Sequence, residues 1–174
     1  MLRSVTRTIL FGMPLVMAGQ AYAQASAQAD ADASVTIIQP LTLSNEADLN
    51  FGRIVKGNGE GTVTISSSTD TVSVDGGGWT SAAGITTSRA AFLAEGEDDA
   101  TISITVPASV TLDLDGGDDE LEVELTANST TATLGSGPND DGEYRIRVGG
   151  SFEVDEDTAV GAYTGSFEVT VAYQ

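Results

Sequence analysis

A run of carboxylates between two apolar stretches is the part of this sequence whose spacing comes closest to metal chemistry. Asp113, Asp115 and Asp118 fall within six residues, with Asp119 beside them and Glu124 eleven positions after Asp113. Carboxylate oxygens are the ligands that Ca²⁺ takes in a twelve-residue EF-hand loop, but such a loop needs glycine at its sixth position. Asp118 occupies that position here. The four aspartates are therefore weak calcium candidates, and solvated turns are the simpler interpretation.

Paired carboxylates could also serve a glycosidase, which needs two of them about 5 to 9.5 Å apart in a cleft. Nearly all of the acidic residues fall in turns or on polar strand faces, and Trp79 is the only tryptophan available for sugar stacking. Trp79 is predicted to pack in the core or against a loop. The chain contains no cysteine and no histidine, which excludes Ser-His-Asp and Cys-His sites and ordinary zinc or copper sites. We predict a protein that is not an enzyme and needs no cofactor.

The acidic run lies in the clearest hairpin of the sequence. Val110, Leu112 and Leu114 alternate with polar residues before the turn at 115–120, and a matching alternation at residues 121–125 follows it. Alternation with a period of two is typical of a half-buried strand. Further short strands are predicted at 35–43, 49–55, 62–66, 71–75, 89–93, 101–106, 144–148 and 152–154. No helical period appears after residue 24, so we predict an all-β, immunoglobulin-like antiparallel β-sandwich of one domain over residues 34–174.

The last residues of the chain alternate most regularly. Tyr163, Phe167, Val169, Val171 and Tyr173 share one parity, and polar residues occupy most of the other. This pattern predicts a closing strand over 163–173 that ties the terminus into a sheet.

The first residues predict export. Two arginines, a short apolar run and the small-x-small site at 21–23 are typical of a secretory signal peptide over residues 1–23. The apolar run is shorter than the roughly 20 residues that a membrane-spanning helix needs. We therefore expect no membrane span after cleavage, and a location in the periplasm, outside the cell or on its surface.

Residues 24–33 are interpreted in two ways. Their composition of Ala, Gln, Ser and Asp is typical of a flexible leader. The odd positions from Ala25 to Ile37 are nevertheless all apolar, which is the period of a strand that could be donated to a neighbouring sheet. Five of these seven residues are alanines, which bury little area.

The charge of the mature part limits its partners. After removal of residues 1–23, five basic residues stand against 26 acidic ones, a formal charge of −21. Nucleic acids and anionic lipid surfaces attract Lys/Arg clusters, so neither is an expected partner. Binding of cations stays open.

Three stretches together carry a family resemblance: Leu49-Asn-Phe-Gly52, residues 148–154 and residues 161–173. In this order they resemble a family of small exported bacterial proteins known only as a domain of unknown function. That family is similar in turn to the spore coat protein U and chaperone–usher fimbrial subunit groups. The resemblance implies an immunoglobulin-like sandwich that is secreted or at the cell surface, and it brings no catalytic residues. Several fimbrial relatives contain a disulfide, which this chain lacks.

Two functions of different classes follow. The first is a fimbria-like or coat-like subunit that associates with itself or with a chaperone by β-strand addition. The second is a monomeric exported binding module for cations, Ca²⁺ above all, or for a surface glycan.

Overall fold

The computed structural model describes residues 27–135 and 142–174. The chain divides into two units, residues 1–36 and 37–174; of the first, the described residues contain no strand. The predicted signal peptide lies outside the described residues. The second unit is all-β, and within the described ranges no helix is long and apolar enough to cross a membrane. Its strands are β1 (Thr42–Ala47), β2 (Ile54–Val55), β3 (Gly61–Ile65), β4 (Val72–Gly76), β5 (Thr80–Ser81), β6 (Ala90–Glu95), β7 (Thr101–Thr105), β8 (Ser109–Leu114), β9 (Glu120–Ala127), β10 (Thr131–Thr133), β11 (Glu143–Val154), β12 (Tyr163–Thr164) and β13 (Thr170–Tyr173).

The strands form one large curled sheet and two small ones, and every pair is antiparallel. The large sheet has the order β1-β6-β11-β9-β8-β12, with β3 paired to β11 and β4 to β3. The second sheet is β10-β7-β13, and the third is the short pair β2-β5. The prediction of an all-β, sandwich-like antiparallel domain is confirmed.

Strand β11 organises the large sheet because its two halves pair with different neighbours. Its first half pairs with β6 up to Val148, and its second half pairs with β3 from Gly150 onward. The sequence predicted two strands here, separated by Gly149 and Gly150. In the structure one strand, β11, continues through both glycines. A Cβ at Gly149 would overlap the Ile65 carbonyl oxygen and the Ser67 amide nitrogen, so glycine is needed here for close packing rather than for a break in the strand. Glycine at this position lets two backbones approach closely enough for β11 to change partners.

Two apolar clusters lie inside this framework. In the first, buried residues of β6, β7 and the first half of β11 pack together with Leu134 and Val169. The second lies on the other half of the large sheet and is built from Val63, Trp79, Val123, Phe152 and Val154. Phe51 packs edge-on against Phe152, with ring centroids 4.9 Å apart.

The hairpin prediction is confirmed. Val110 pairs with Val123 and Leu112 with Leu121 across β8 and β9. The closing strand over 163–173 is divided: β12 pairs with β8, whereas β13 pairs with β7 in the second sheet. The last stretch of chain therefore pairs with both the large sheet and the second sheet. Between them, Val169 belongs to the first apolar cluster and Phe167 packs against it.

The predicted strand over 35–43 is wrong except for its last two residues. The first strand begins only at Thr42, and residues 27–40 are exposed and outside any ladder. Pro40 has no N–H to contribute to a ladder, and it holds the residue before it in an extended conformation. The alternation of Val35 and Ile37 is real in the sequence, but no sheet of the described structure uses it.

Candidate functional site

An exposed apolar segment precedes the sandwich. Val35 is 84% exposed, Ile37 is 89% exposed and Ile38 is 50% exposed. Single exposed apolar side chains are ordinary on protein surfaces, whereas several in one short stretch indicate an interaction site. Three residues separate the end of the segment from the start of β1.

The start of the sandwich is held by three hydrogen bonds that form a closed ring, here called the Tyr173 clamp (Gln39, Glu97 and Tyr173). The Gln39 N–H donates to Glu97 Oε2 at 3.0 Å, and the Glu97 N–H donates to the Tyr173 hydroxyl at 2.8 Å. That hydroxyl donates to the Gln39 carbonyl oxygen at 2.9 Å. The clamp requires glycine at position 96, where a Cβ would overlap the Tyr173 hydroxyl. It holds Gln39 against the turn before β7 and against β13.

Sequence reasoning did not find this clamp. The parity of the closing strand placed the Tyr173 ring on the apolar face, but nothing in the pattern indicates which groups its hydroxyl would meet. The acidic residues at 95–99 predict a turn between two strands, with weak Ca²⁺ binding as the alternative, and neither interpretation involves Tyr173. Gly96 and Tyr173 are both visible in the sequence, but nothing in the sequence indicates that they are in contact, because only the fold brings them together.

The four calcium candidates lie where the hairpin predicted them. Asp113 is on the polar face of β8. Asp115, Asp118 and Asp119 lie in the turn between β8 and β9. All four are exposed. Among the described residues, no group of three or more acidic side chains is arranged so that it could hold a metal ion. Calcium binding by these residues stays a prediction.

Acidic side chains also line a concave surface on the large sheet. It is a groove of about 970 Å³ between β3, β4, β9 and the loop after β11. Its carboxylates are Glu60, Asp75, Asp119, Glu120, Glu122, Glu124, Glu153, Asp155 and Asp157. A surface of one sign raises the local concentration of small cations. Of the four calcium candidates, only Asp119 lies on it.

A second groove, of about 690 Å³, is mainly apolar. Val110, Leu112 and Leu121 contribute to it from the hairpin, and Phe51 and Phe152 add aromatic rings. Residues 158–165 line its other side. Trp79 also borders it but is only 7% exposed, and its indole N–H donates to the Gly59 carbonyl at 2.7 Å. The tryptophan is thus a packing residue, as predicted, and not an exposed platform for a sugar.

The loop after β11 is organised by one carboxylate. Asp155 Oδ1 accepts hydrogen bonds from the Thr158 hydroxyl at 2.9 Å, the Thr158 N–H at 2.8 Å and the Asp157 N–H at 3.0 Å. The Lys56 ammonium donates to the Thr158 carbonyl at 2.6 Å. The Thr158 hydroxyl bond, then its N–H bond, lowers the pKa of Asp155 below the ordinary 3.8, and Lys56 adds to the effect. Hydrogen bonds to the charged form account for this direction.

A pH titration checks this loop. Since the pKa of Asp155 is lower in the folded chain, its contribution to stability is present above the unfolded value of 3.8 and is lost as the pH falls through the folded pKa. We expect Thr158→Val, which removes the hydroxyl donor but keeps the backbone donor, to raise the pKa of Asp155 toward 3.8. Carboxyl chemical shifts followed by NMR measure the pKa directly. Thr170→Val, on an exposed position of β13, should leave it unchanged; an equal shift in both variants would contradict the assignment.

Comparison with known proteins gives one result. Residues 41–173 match the family described as Domain of unknown function (DUF4402). The chain belongs to this family. No curated protein and no solved structure matches it. The DUF4402 match begins one residue before β1 and ends at the last residue of β13, so it covers the sandwich and excludes the exposed segment at 27–40.

Proposed function

We propose that this DUF4402 protein is an exported, non-enzymatic subunit of a bacterial surface structure, fimbria-like or coat-like, whose copies associate by β-strand addition. Export rests on the signal-peptide pattern of residues 1–23. A chaperone that adds or accepts a strand is the other partner that this mode of binding allows.

One observation carries the proposal. Val35 and Ile37 alternate with Thr36 in a strand-like pattern, and both side chains are more than four-fifths exposed. β-Branched residues fit a pleated, half-buried surface, and this segment has such a surface on neither side in the described structure. Addition to a sheet of another molecule would supply one, with main-chain hydrogen bonds giving affinity and the alternate side chains giving specificity.

Assembly of the purified protein tests the proposal. The chain without residues 1–23 is expected to form oligomers whose size rises with concentration in light scattering. Val35→Asp combined with Ile37→Asp should leave it monomeric, because a carboxylate cannot be buried unpaired in an apolar contact. Val160→Asp is the matched control, since Val160 is also exposed, at 77%, but lies in a loop far along the chain. A wild-type protein that stays monomeric at every concentration, alone and with a candidate chaperone, would overturn the proposal.

A monomeric binding module is the second candidate. The concave acidic surface favours cations, Ca²⁺ in particular, over a surface glycan, because its lining is dominated by carboxylates and the only tryptophan is buried. Ligand that binds only the folded protein raises the melting temperature. Equal melting temperatures in millimolar Ca²⁺ and in chelator would remove calcium from this candidate, and a glycan array would test the remaining ligand class.

A further inference from the structure

Strand β4 is an edge strand of the large sheet, and the short strand β5 lies close to it without pairing with it. Among the described residues it pairs only with β3, and apart from that ladder no backbone hydrogen bond joins Thr71–Asp75 to the rest of the described chain. Natural edge strands are usually protected by charged side chains (Lys above all), Pro, a bulge, extreme shortness or a covering segment. β4 has five residues in continuous register and carries neither Lys nor Pro; its one charged residue, Asp75, is exposed on the same face as Ser73. Its row of unpaired N–H and C=O groups is open to another strand.

The side chains of β4 end an apolar row that crosses five strands. Val74 pairs with Val63, and Val63 pairs with Phe152. The Ser151–Glu124 pair sets the register of β11 and β9, which places Phe152 opposite Val123. Val123 in turn pairs with Val110. The row therefore runs Val74, Val63, Phe152, Val123, Val110 along one face of the sheet. Val63 and Val123 are fully buried within it, whereas Val74 at its end is only half-buried. One more strand with an apolar residue at this level would extend the row and bury Val74.

The exposed segment at 35–38 matches this edge residue by residue. β4 presents Val72 and Val74 on the inner face and Ser73 on the outer face. The segment offers Val35 and Ile37 on one face and Thr36 on the other. When the segment and β4 are aligned antiparallel, Val35 lies opposite Val74, Thr36 opposite Ser73 and Ile37 opposite Val72. Apolar β-branched pairs and Thr–Ser pairs are the cross-strand contacts that stabilise a sheet.

The charges of both partners allow this register. The same alignment sets Ser34 against Asp75, next to the positive-φ glycines 76–78 where β4 ends, so no two carboxylates stand directly opposite each other along the strand. Two of the other edge strands fit less well. β1 has an irregular register between Asn45 and Ala47, and β10 has only three residues.

We propose that the β4 edge is the acceptor site for residues 35–38 of a second copy of this chain. The inference rests on the proposed assembly by strand addition, and it names the acceptor strand, the orientation and the register. It makes Thr36 of one copy and Ser73 of the next a cross-strand pair with both side chains on the outer face, away from the apolar contacts.

Disulfide trapping tests this pairing cleanly because the chain has no cysteine. Directly opposite residues of an antiparallel pair lie about 4.5 to 5.5 Å apart at Cα, within the range of a disulfide. Thr36→Cys and Ser73→Cys proteins are mixed in a glutathione buffer, in which disulfides exchange. Mixtures of Thr36→Cys with Ser44→Cys on β1, or with Ala172→Cys on β13, are the matched controls on other edges. We expect roughly tenfold more heterodimer with Ser73→Cys, equivalent to about 1.4 kcal/mol of preference.

A second variant keeps the inference falsifiable without cysteine. Ser73→Lys adds a protective lysine to the outer face of β4, where the side chain is exposed, and should reduce assembly with little change in melting temperature. Ser44→Lys on β1 should leave assembly unchanged.

The outcomes separate the two proposals. Assembly that depends on Val35 and Ile37 but traps equally on β1 or β13 would overturn the β4 assignment and leave the proposed function standing. A double variant Thr36→Cys/Ser73→Cys that closes within one monomer, with no trapping between the single variants, would overturn the second copy as occupant. A wild-type protein that never assembles would overturn both.

Discussion

Replacing Gly149 with alanine is expected to lower the free energy of unfolding by about 3 kcal/mol, the upper part of the usual range for an overpacked site. A Cβ there would overlap backbone atoms of Ile65 and Ser67, and backbone cannot move aside as a flexible side chain can. Relief of the overlap would separate β11 from the end of β3, where the large sheet changes partners. For a domain of this size the melting temperature should fall by about 10 °C.

Gly59→Ala is the matched control for this prediction. Its Cβ would meet only the Gly77 Cα, at an ordinary contact distance of 3.5 Å. The substitution also lowers the conformational entropy of the unfolded chain, and this alone stabilises a protein by about 0.4 to 1 kcal/mol. Thermal unfolding followed by circular dichroism compares the two variants. Equal melting temperatures would show that β11 and β3 do not need glycine for their close approach.

Phe152→Ala is expected to have the second large effect, a loss of about 3 to 5 kcal/mol. The side chain is only 8% exposed, and it lies in the middle of the apolar row that crosses the large sheet. Its removal leaves a cavity between Val63 and Val123 and takes away the ring that Phe51 contacts edge-on. Chemical denaturation at equilibrium gives the free energy, and Val160→Ala, at an exposed position, should change it by less than about 0.5 kcal/mol.

A double-mutant cycle separates the ring contact from the cavity. Phe51→Ala and Phe152→Ala, alone and combined, should show a coupling of about 0.5 to 1.5 kcal/mol, as edge-to-face aromatic pairs do. Strict additivity of the two substitutions would contradict the edge-on contact as an energetic element.

Local alternation predicted best where both partners of a strand pair are close in sequence. The hairpin of β8 and β9 was predicted with its facing residues because a short turn leaves few other registers. The strand over 35–43 failed because its alternation has no partner within the described chain. The continuity of β11 could not be predicted, since Gly-Gly indicates a break locally and only the approach of Ile65 and Ser67 gives it another role.

The candidate site was predicted in part. The apolar parity of residues up to Ile37 indicated a possible donor strand from sequence alone, but the exposure of Val35 and Ile37 needed the structure. β10 could not be predicted as a strand, because its Ser/Thr-rich sequence is typical of a loop. The open edge of β4 could not be predicted either, because an unpaired edge depends on the arrangement of the whole sheet. The acidic turn of the hairpin was located correctly, between β8 and β9.

The Tyr173 clamp has a mechanical consequence for a subunit whose leading segment is held by a neighbour. Tension applied along residues 27–38 would reach the sandwich at Gln39, whose N–H and carbonyl are bonded to Glu97 and to the Tyr173 hydroxyl. Part of the load would therefore pass directly into the turn before β7 and into the C-terminal strand, before it could peel β1 from β6. A pulling experiment on linked copies should register Tyr173→Phe as a lower rupture force, even where its effect on thermal stability is small.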